Sequence, residues 1–472
     1  MRNSAAGTIA TNILGWLLFV AALFRAGPAC GQATEPDWAA IGAQAARLLA
    51  EYVRIDTQNP PGRTVEAVDF LDQHLRQAGL PTERVAINPE KPILIGRLKG
   101  TGGSAKPIIL LNHMDVVPAD PAQWSLPPLS GQVRNGQLYG RGAIDMKGFA
   151  IVQLLALALL AQRGERPQHD LMFLAVPDEE VGGTQGVAWL MRNRSDLTDA
   201  AAVWDEGGAG LSDAFAAPVF LVSVTEKKVL WVRLVAEGPS GHGSRPLANG
   251  APTRLQRALE RVLASPRPPR LTTTMAETLA RVGTIVGGVR GFALRHIDNP
   301  VVWRLARRGL GEDPLAGPSI HDTVTLTMLQ AGYKPNVIPE RAEAVLDCRL
   351  LPDTDQDVFL TDLKRTIGDD GIRIEIIQPA EPAPSSPTSN DLFRAIAQSV
   401  ATVVPGAVLA PFMSLNGTDS RFFRSRGIPA YGLLPVLLPK DLYATMHGVD
   451  ERLPVDSLAP AVHIVYEALR RL

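Results

Sequence analysis

Short, wholly apolar runs alternate with segments of helical periodicity along the first half of this chain, and this alternation restricts the fold most. Apolar runs at 93–98, 108–111, 171–176 and 201–204 predict strands that are buried on both faces of a sheet. Apolar residues at helical spacing predict helices over 38–55, 64–78, 146–160 and 183–192. Strands that alternate with helices indicate a layered α/β domain.

The pattern changes near residue 225. Residues 229–236 alternate as a half-exposed strand does, a helix is predicted over 253–263, and further strands and a helix follow up to residue 366. A Pro- and Ser-rich stretch at 381–387 resembles a linker, and α/β character returns after it. The sequence therefore predicts an α/β domain formed by 34–225 and 380–472, with a smaller α+β domain, 226–379, inserted into it.

Residues 1–33 are set apart from the rest of the chain. Arg2 precedes an apolar run at 13–24, which small residues follow up to Gly31. This order is typical of a secretory signal peptide and predicts a secreted or periplasmic protein. Arg25, directly after the apolar run, is atypical of a cleaved signal, so an N-terminal membrane anchor is the alternative.

The charge balance argues against nucleic acid as a partner. The 472 residues include 47 basic and 48 acidic side chains, for a formal net charge of -1, and we find no basic run. A protein that binds nucleic acid normally carries a basic patch or an excess of positive charge.

His113 and Asp115 follow the predicted strand at 108–111. Because they are two residues apart in an extended segment, they lie on the same side of the chain. One ring nitrogen of His113 is then available to a metal, while Asp115 holds the other nitrogen and fixes the tautomer. A plain loop histidine and loop aspartate are the alternative.

Two further motifs bring carboxylates to predicted element ends. Asp145 lies between glycines and a very apolar helix, where it is either a helix N-cap or a bridging metal ligand. Three acids follow the strand at 171–176, and adjacent carboxylates repel unless a cation or proton compensates. Glu180 is a candidate metal ligand and Glu179 a candidate general base, with a solvated acidic turn as the alternative.

Asp205, at the end of the strand at 201–204, and His447, near the C-terminus, complete the set of candidate ligands. Ligands of α/β sheets cluster outside the carboxyl ends of strands. Two histidines and three carboxylates suit two divalent metals that share one carboxylate. Imidazole and carboxylate without thiolate favour two Zn²⁺ ions, with Co²⁺ or Mn²⁺ as substitutes.

The sequence also resembles the dizinc metallopeptidase family of aminoacylase, carboxypeptidase S and glutamate carboxypeptidase, and most of all its branch of carboxypeptidase S and secreted N-acyl amino acid hydrolases. The motifs occur in the family's order and span nearly the whole chain after residue 33. They are LNHMDVVP at 111–118, YGRGAIDMKG at 139–148, PDEEVGG at 177–183, WDEGG at 204–208, GPSGHGSRP at 238–246, YKPNVIPE at 333–340, LDCRL at 346–350, NGTDSRFF at 416–423 and MHGVDE at 446–451.

The resemblance implies a role for each matching residue. One zinc would be held by His113, Asp145 and Asp205, and the other by the shared Asp145 with Glu180 and His447. Glu179 would be the general base and Asp115 would orient His113. The inserted domain would act as a lid and dimerisation domain, and its His242 would polarise the substrate carbonyl, often across a homodimer interface. Substrate contacts would come from Asn336, Arg349 and Gly417.

The expected activity is metal-assisted hydrolysis of an amide bond beside a free carboxylate. A carboxypeptidase or dipeptidase acting on apolar peptides is the main prediction. An N-acyl amino acid hydrolase, which would act reversibly and on acyl chains that include long ones, is the first alternative. A non-catalytic protein that binds amino acid derivatives is the second, and it would predict loss of Glu179 or of a ligand.

The stretch 271–318 is longer than a compact lid needs. It carries Phe292, Leu294, Trp303 and Leu305. We expect these side chains to help form an apolar substrate pocket.

Overall fold

The computed structural model describes residues 35–103, 105–314 and 316–472. The prediction of a signal peptide or anchor over 1–33 lies outside the described residues. Within the described ranges, no helix combines the length and the apolar character that crossing a bilayer requires.

The chain up to residue 226 alternates strands and helices as predicted. Its elements are α1 (Trp38–Val53), α2 (Val65–Gln77), β1 (Thr82–Val85), β2 (Ile93–Leu98), β3 (Ile108–His113), β4 (Gln132–Arg134), β5 (Gln137–Tyr139), α3 (Lys147–Gln162), β6 (Leu171–Val176), α4 (Val187–Asn193), β7 (Ala202–Leu211) and β8 (Val219–Glu226).

The predicted helix at 183–192 begins later than expected. Gly182 and Gly183 adopt positive φ angles of 104° and 71°, which lie outside the helical region. These glycines turn the chain away from the end of β6 before α4 begins at Val187.

The middle of the chain forms a second, smaller sheet with its own helices. Its elements are β9 (Lys228–Glu237), β10 (Gly241–His242), α5 (Ala251–Leu263), α6 (Thr273–Val282), α7 (Gly288–Arg295), α8 (Pro300–Glu312), α9 (Gly317–Ile320), β11 (Thr323–Ala331), β12 (Val337–Ile338), β13 (Arg341–Leu350), α10 (Gln356–Ile367) and β14 (Ile372–Gln378).

The remaining residues return to the first domain. They form α11 (Asp391–Val403), β15 (Val408–Ser414), α12 (Ser420–Arg424), β16 (Ala430–Leu438), α13 (Lys440–Tyr443), β17 (Arg452–Pro454) and α14 (Leu458–Arg470).

The large sheet has eight strands in the order β1-β2-β6-β3-β7-β16-β8-β15. Strand β3 pairs in parallel with both β6 and β7, so the carboxyl ends of these three strands meet at one edge. One face is covered by α1, α2, α3, α11 and α14, and the other by α4 and α12. Both faces are therefore buried, which explains why the strands are apolar throughout.

The small sheet is antiparallel, in the order β11-β13-β9-β14. Strand β13 alternates buried and partly exposed residues, as a sheet with one covered face requires. Helices α5 and α10 cover that face and share a separate apolar core with it. The α/β fold with an inserted α+β domain is thus confirmed. The predicted boundary at 225/226 falls at the end of β8, and the one at 379/380 follows β14.

Residues 271–320 do not join the small sheet. Helix α6 packs against β15, the edge strand of the large sheet, and Thr278 donates a hydrogen bond to the carbonyl of Pro411 in β15 at 2.6 Å. A small apolar cluster centred on Met275, Leu279, Ile297 and Ile320 holds helices α6 to α9 together. The helical segment covers a sheet edge whose unpaired backbone groups would otherwise be exposed.

Candidate metal centre

Three strand ends of the large sheet bring acids and histidine together. Strand β3 ends at His113, which lies opposite Val176, the last residue of β6. The acidic turn at 178–180 follows directly, and β7 carries Asp205 and Glu206 on the other side of β3. This is the edge of an α/β sheet at which ligands usually bind.

The carboxylate of Asp145 lies between two histidine rings. Its Oδ1 is 3.0 Å from Nε2 of His113, and its Oδ2 is 3.0 Å from Nε2 of His447. A second carboxylate accompanies each ring: Glu206 Oε1 lies 3.5 Å from His113 Nε2, and Glu180 Oε1 lies 3.3 Å from His447 Nε2. The result is two half-sites, each with one imidazole and one glutamate, joined by a shared aspartate.

The structure departs from the prediction at Asp205. Its Oδ2 accepts a hydrogen bond from the Ser420 hydroxyl at 2.7 Å, and Glu206 is the residue whose carboxylate faces His113. Successive residues of a strand point to opposite sides, so only one of two adjacent acids in β7 can face the cluster. Glu206 was part of the WDEGG motif, but the motif alone does not say which acid faces inward.

Asp115 holds His113 through its main chain rather than its carboxylate. Nδ1 of His113 lies 2.8 Å from the backbone oxygen of Asp115 and 3.9 Å from its carboxylate. The carboxylate instead accepts hydrogen bonds from the backbone N–H groups of Glu179 and Glu180, at 3.2 and 3.3 Å, and from the Asn59 amide at 2.8 Å. Asp115 is therefore a positioning residue for both His113 and the acidic turn.

Asp178, the first acid of the turn, has a structural role. Its side chain is almost fully buried and pairs with the Lys91 ammonium at 2.7 Å. It also accepts hydrogen bonds from the Thr184 hydroxyl and from the backbone of Gln185. Burial opposes ionisation of Asp178, but hydrogen bonds from Lys91, from the Asn59 amide and from the backbone of Gln185 outweigh it and keep the pKa of Asp178 below its usual value. This network fixes the turn from which Glu179 and Glu180 project.

A second buried ion pair holds the loop that carries Asp145. Arg141 Nη1 lies 2.6 Å from Glu451 Oε2, and both side chains are buried. Glu451 also accepts hydrogen bonds from the backbone N–H groups of Ile144 and Asp145, at 2.8 and 3.2 Å. Arg141 in turn donates to the carbonyl of His447 at 3.2 Å. The two motifs at 139–148 and 446–451 are therefore locked together, which fixes Asp145 relative to His447.

Burial dominates the electrostatics of the cluster. Burial, with the neighbouring charge of Glu206, raises the pKa of Glu179 well above its usual value. Burial together with the charge of Asp145 does the same for Glu206. Hydrogen bonds to Asp145 and Glu180 raise the pKa of His447 to about 10. Crowded carboxylates hold protons when nothing else compensates them, so the cluster as a whole calls for added positive charge.

Asp419 is a further buried acid that the sequence analysis did not single out. It is 2% exposed, and neither carboxylate oxygen has a hydrogen-bond partner among the described residues. Burial raises its pKa to about 7, although Arg421 opposes the shift. Asp419 lies within the NGTDSRFF motif, beside Ser420, so its presence in that motif was the available signal.

The residues present fit a pair of divalent cations. Two imidazoles and a shared carboxylate, with one further carboxylate on each side, are the ligand types that zinc, cobalt and manganese take, and no thiolate is among them. The ligand atoms of His113, Asp145 and Glu180 lie within 4.8 Å of one another, and so do those of His113, Glu179 and Glu206. The predicted ligands His113, Asp145, Glu180 and His447 thus come together with Glu179.

Two predicted site residues of the inserted domain, His242 and Asn336, have only local hydrogen-bond partners among the described residues. His242 and Asn336 are both exposed and belong to neighbouring parts of one short ladder, in which His242 pairs with Val337. His242 Nδ1 lies 2.7 Å from the Ser244 hydroxyl, and the Asn336 carbonyl accepts from the Gly243 N–H. Among the described residues, no hydrogen bond or ion pair connects either side chain to the metal ligands.

Arg349 and Gly417 lie near the junction of the two domains. Arg349 stands opposite Val229 in the small sheet, and its guanidinium is held by Asp347 at 2.8 Å. A Cβ atom at Gly417 would lie 3.5 Å from the Val229 side chain and 3.8 Å from Arg421. Both positions are therefore close to where the inserted domain begins.

The fold and the cluster together define a class: a mixed α/β domain with an inserted α+β domain and a candidate dinuclear metal centre. A family model described as peptidase family M20/M25/M40 matches residues 109–471. The chain therefore belongs to this peptidase family, and the resemblance inferred from the sequence motifs is confirmed.

Individual relatives agree with this assignment. The chain is 30% identical over 389 residues to the N-fatty-acyl-amino acid synthase/hydrolase PM20D1 of Homo sapiens, covering 79% of this chain and 75% of that protein. It is 29% identical over 421 residues to aminoacylase-1 of Mus musculus, covering 88% and 92%. The structure of the M20 family metallo-carboxypeptidase Sso-CP2 from Sulfolobus solfataricus superposes with a TM-score of 0.69 at 20% identity, covering 90% of this chain and 98% of that chain.

Proposed function

We propose that this protein is a dinuclear-metal hydrolase that cleaves an amide bond next to a free carboxylate. The observation that carries the proposal is Asp145, whose two carboxylate oxygens each lie 3.0 Å from a different histidine. Glu179 projects from the turn that also supplies Glu180, and its carboxylate lies beside His113 and Glu206. Retention of Glu179 and of a complete ligand set argues against the alternative of a non-catalytic binding protein.

Each residue of the cluster has a distinct role in the proposed reaction. His113 and Glu206 would hold one metal, His447 and Glu180 the other, and Asp145 both. When bound, the two divalent ions supply Lewis-acid activation of a water and of the amide carbonyl. Glu179, whose carboxylate lies beside His113 and Glu206, would be the general base that takes a proton from water and returns it to the leaving nitrogen. Asp115 positions Glu179 by accepting a hydrogen bond from its backbone N–H.

N-acyl amino acids are the substrate class we favour, with apolar dipeptides second. This order reverses that of the sequence analysis. It is supported by the relatives of this chain, which include an N-fatty-acyl-amino acid synthase/hydrolase and an aminoacylase. Both substrate classes present an amide beside a carboxylate, and Arg349 would bind that carboxylate with its planar guanidinium.

The test is hydrolysis by metal-loaded protein of N-acyl amino acids with short and long chains, their methyl esters, and apolar dipeptides. Glu179→Gln should retain two metals and lose nearly all activity, whereas Glu66→Gln, a control at an exposed site, should behave as wild type. The esters should react poorly because they lack the carboxylate. Activity that survives Glu179→Gln would refute the proposal, and dipeptides as the best substrates would restore the peptidase prediction.

We also propose that the protein acts as a homodimer in which His242 serves the partner's metal centre. The support is that His242 is exposed and makes no contact with the metal ligands of its own chain within the described ranges. Mixing His242→Ala with Glu179→Gln should then restore activity. Half of the dimers would be mixed, and each would have one intact site, so about a quarter of wild-type activity is expected. No recovery after subunit exchange would exclude this arrangement.

Zinc as the native metal and export through residues 1–33 complete the proposal. Imidazole–carboxylate ligand sets favour zinc, and the order of residues in 1–33 is typical of a secretory signal. Elemental analysis of protein purified from its own host should find two zinc ions per chain. Cell fractionation should find the protein outside the cytoplasm, either free or membrane-bound.

A further inference from the structure

Helices α7 and α8 expose large apolar side chains far more than most of the described chain does. Val289 is 86% exposed, Phe292 55%, Val301 67% and Leu305 79%. Leu294 and Trp303, by contrast, pack into the small cluster under these helices. Of the four side chains expected to form a substrate pocket, two therefore support the local core and two face outward.

Helix α8 has two distinct faces. Val302, Trp303, Ala306 and Leu310 pack against the cluster that holds α6 to α9 together. Val301 and Leu305 lie one turn apart on the opposite face, and both are exposed. Because the inner face already satisfies the local core, the outer apolar row is not needed to fold this segment.

Arginines border the outer apolar row. Arg304 and Arg308 follow Val301 and Leu305 by three residues each, so they lie on the same side of the helix. Residues 288–313 contain five arginines against three acids, whereas the whole chain has a net charge of -1. Of these arginines, Arg308 pairs with Glu312, while Arg290, Arg304 and Arg307 make no ion pair with any described residue. The surface is therefore locally cationic as well as apolar.

We propose that α7 and α8 form a docking surface for an anionic lipid bilayer, with Val289, Phe292, Val301 and Leu305 entering the interface. An exposed amphipathic helix that combines large apolar side chains with arginine is what lies flat in the headgroup region of a membrane. The arginines complement the negative surface of anionic lipids, which a purely apolar contact would not require. Helix α7 packs against α6, and α6 packs on β15 of the large sheet, so docking would place the body of the enzyme at the lipid surface.

The test uses an environment-sensitive fluorophore, nitrobenzoxadiazole, attached at Leu305→Cys in the full chain. Cys30→Ser removes one competing thiol, and Cys348, the other cysteine, is buried. Val358→Cys is the matched control, because Val358 is 61% exposed but lies on α10 of the small-sheet domain. Because the probe reports its own surroundings, the result does not depend on whether residues 1–33 also bind lipid.

Vesicles of phosphatidylcholine that contain phosphatidylglycerol should shift the emission at position 305 to shorter wavelength and leave position 358 unchanged. Phosphatidylcholine alone should give a smaller shift, and salt should weaken the effect. Arg304→Gln should raise the vesicle concentration at half-maximal shift about fivefold. Arg166→Gln, an exposed arginine of the large domain, should leave it unchanged.

Four results would overturn the proposal. The first is that vesicles cause no emission shift at position 305, and the second is that they cause equal shifts at positions 305 and 358. The other two are emission shifts at position 305 that occur without vesicles. A shift that grows with protein concentration would instead identify an interface between two copies. A shift caused by a monomeric soluble N-acyl amino acid would identify a wall of the substrate pocket.

Discussion

The metal centre and the β10–β12 ladder are both predicted parts of one active site, yet they differ in burial and in the partners of their side chains. At the end of the large sheet, His113 is 2% exposed, and each ligand contacts another ligand or a buried partner. On the ladder, His242 and Asn336 are exposed, and in the part of the chain that the structure describes their hydrogen bonds are to neighbouring residues.

This difference agrees with our proposal that one chain supplies all the metal ligands, whereas His242 serves the metal centre of a partner chain. The buried ion pairs Lys91–Asp178 and Arg141–Glu451 fix the ligand-bearing loops without any help from the inserted domain. Within the described ranges no ion pair holds His242, which agrees with our proposal that it serves the site of a partner chain. Substitutions in the two regions should therefore differ in kind, and the following experiments test this.

The largest effect should come from Glu206. Glu206→Gln should remove one metal equivalent and lower kcat/KM by more than about 100-fold. Loss of a residue that only hydrogen-bonds a metal ligand lowers activity by roughly 10–100-fold, and loss of a ligand should cost more. Asp205→Asn keeps an acceptor for the Ser420 hydroxyl and should retain both metals. Metal analysis after dialysis, alongside kinetics, measures both effects. The reverse pattern would return Asp205 to the ligand set and remove Glu206 from it.

The next largest effect should be on stability. Lys91→Met leaves Asp178 buried without its cation and should lower the free energy of unfolding by about 3–5 kcal/mol. The matched variant Lys99→Met breaks the solvent-exposed pair with Asp170 and should cost only about 0–1 kcal/mol. Urea unfolding of both variants gives the comparison. Equal losses would mean that the Lys91 pair does not hold the acidic turn.

Metal-free protein should lose stability as pH rises above 5. Burial raises the pKa values of Glu179, Glu206 and Asp419, and hydrogen bonds to Asp145 and Glu180 raise that of His447, so in this range the folded chain binds more protons than the unfolded chain. The free energy of unfolding then falls with rising pH, by on the order of 1 kcal/mol for each unit of pKa shift. Urea unfolding in chelator between pH 5 and 8 measures the slope. Glu206→Gln should make it less steep, and a slope that is unchanged in this variant would show that Glu206 does not contribute to it.

The smallest stability effect should come from the ladder. His242→Ala removes an exposed side chain and should change the free energy of unfolding by less than about 0.5 kcal/mol, with both metals retained. Its kcat should nevertheless fall, because we propose that His242 stabilises charge on the substrate carbonyl in the partner's site. Thermal unfolding, metal analysis and kinetics on one preparation separate these effects. A marked loss of stability or of metal would show that His242 supports the fold instead.

Much of the fold was predictable because the large sheet is buried on both faces. Strands such as β6, observed at Leu171–Val176 where 171–176 was predicted, are continuous apolar runs bounded by polar residues. The segment 271–320 was not predictable in the same way. Its helices are short, and α8 packs only partly against its own small cluster, so its periodicity does not reveal that α6 covers the edge strand β15.

The site was predictable at the level of motifs and less so at the level of atoms. His113, Asp145, Glu180 and His447 stand at element ends, which a sequence reveals. The choice between Asp205 and Glu206 depends on how β7 is rotated at its end. The finding that Asp115 binds His113 through its carbonyl depends on the path of the main chain, because its carboxylate is already taken by the turn at 179–180. Neither feature can be predicted from the types of residue at these positions.

The most direct test of the central claim is a crystal structure of the metal-loaded protein with anomalous scattering recorded on both sides of the zinc edge. We predict two peaks about 3.5–4 Å apart, one on each side of the Asp145 carboxylate. His113 and Glu206 should bind one, and His447 and Glu180 the other. A single peak, or two peaks that Asp145 does not bridge, would contradict the proposed centre.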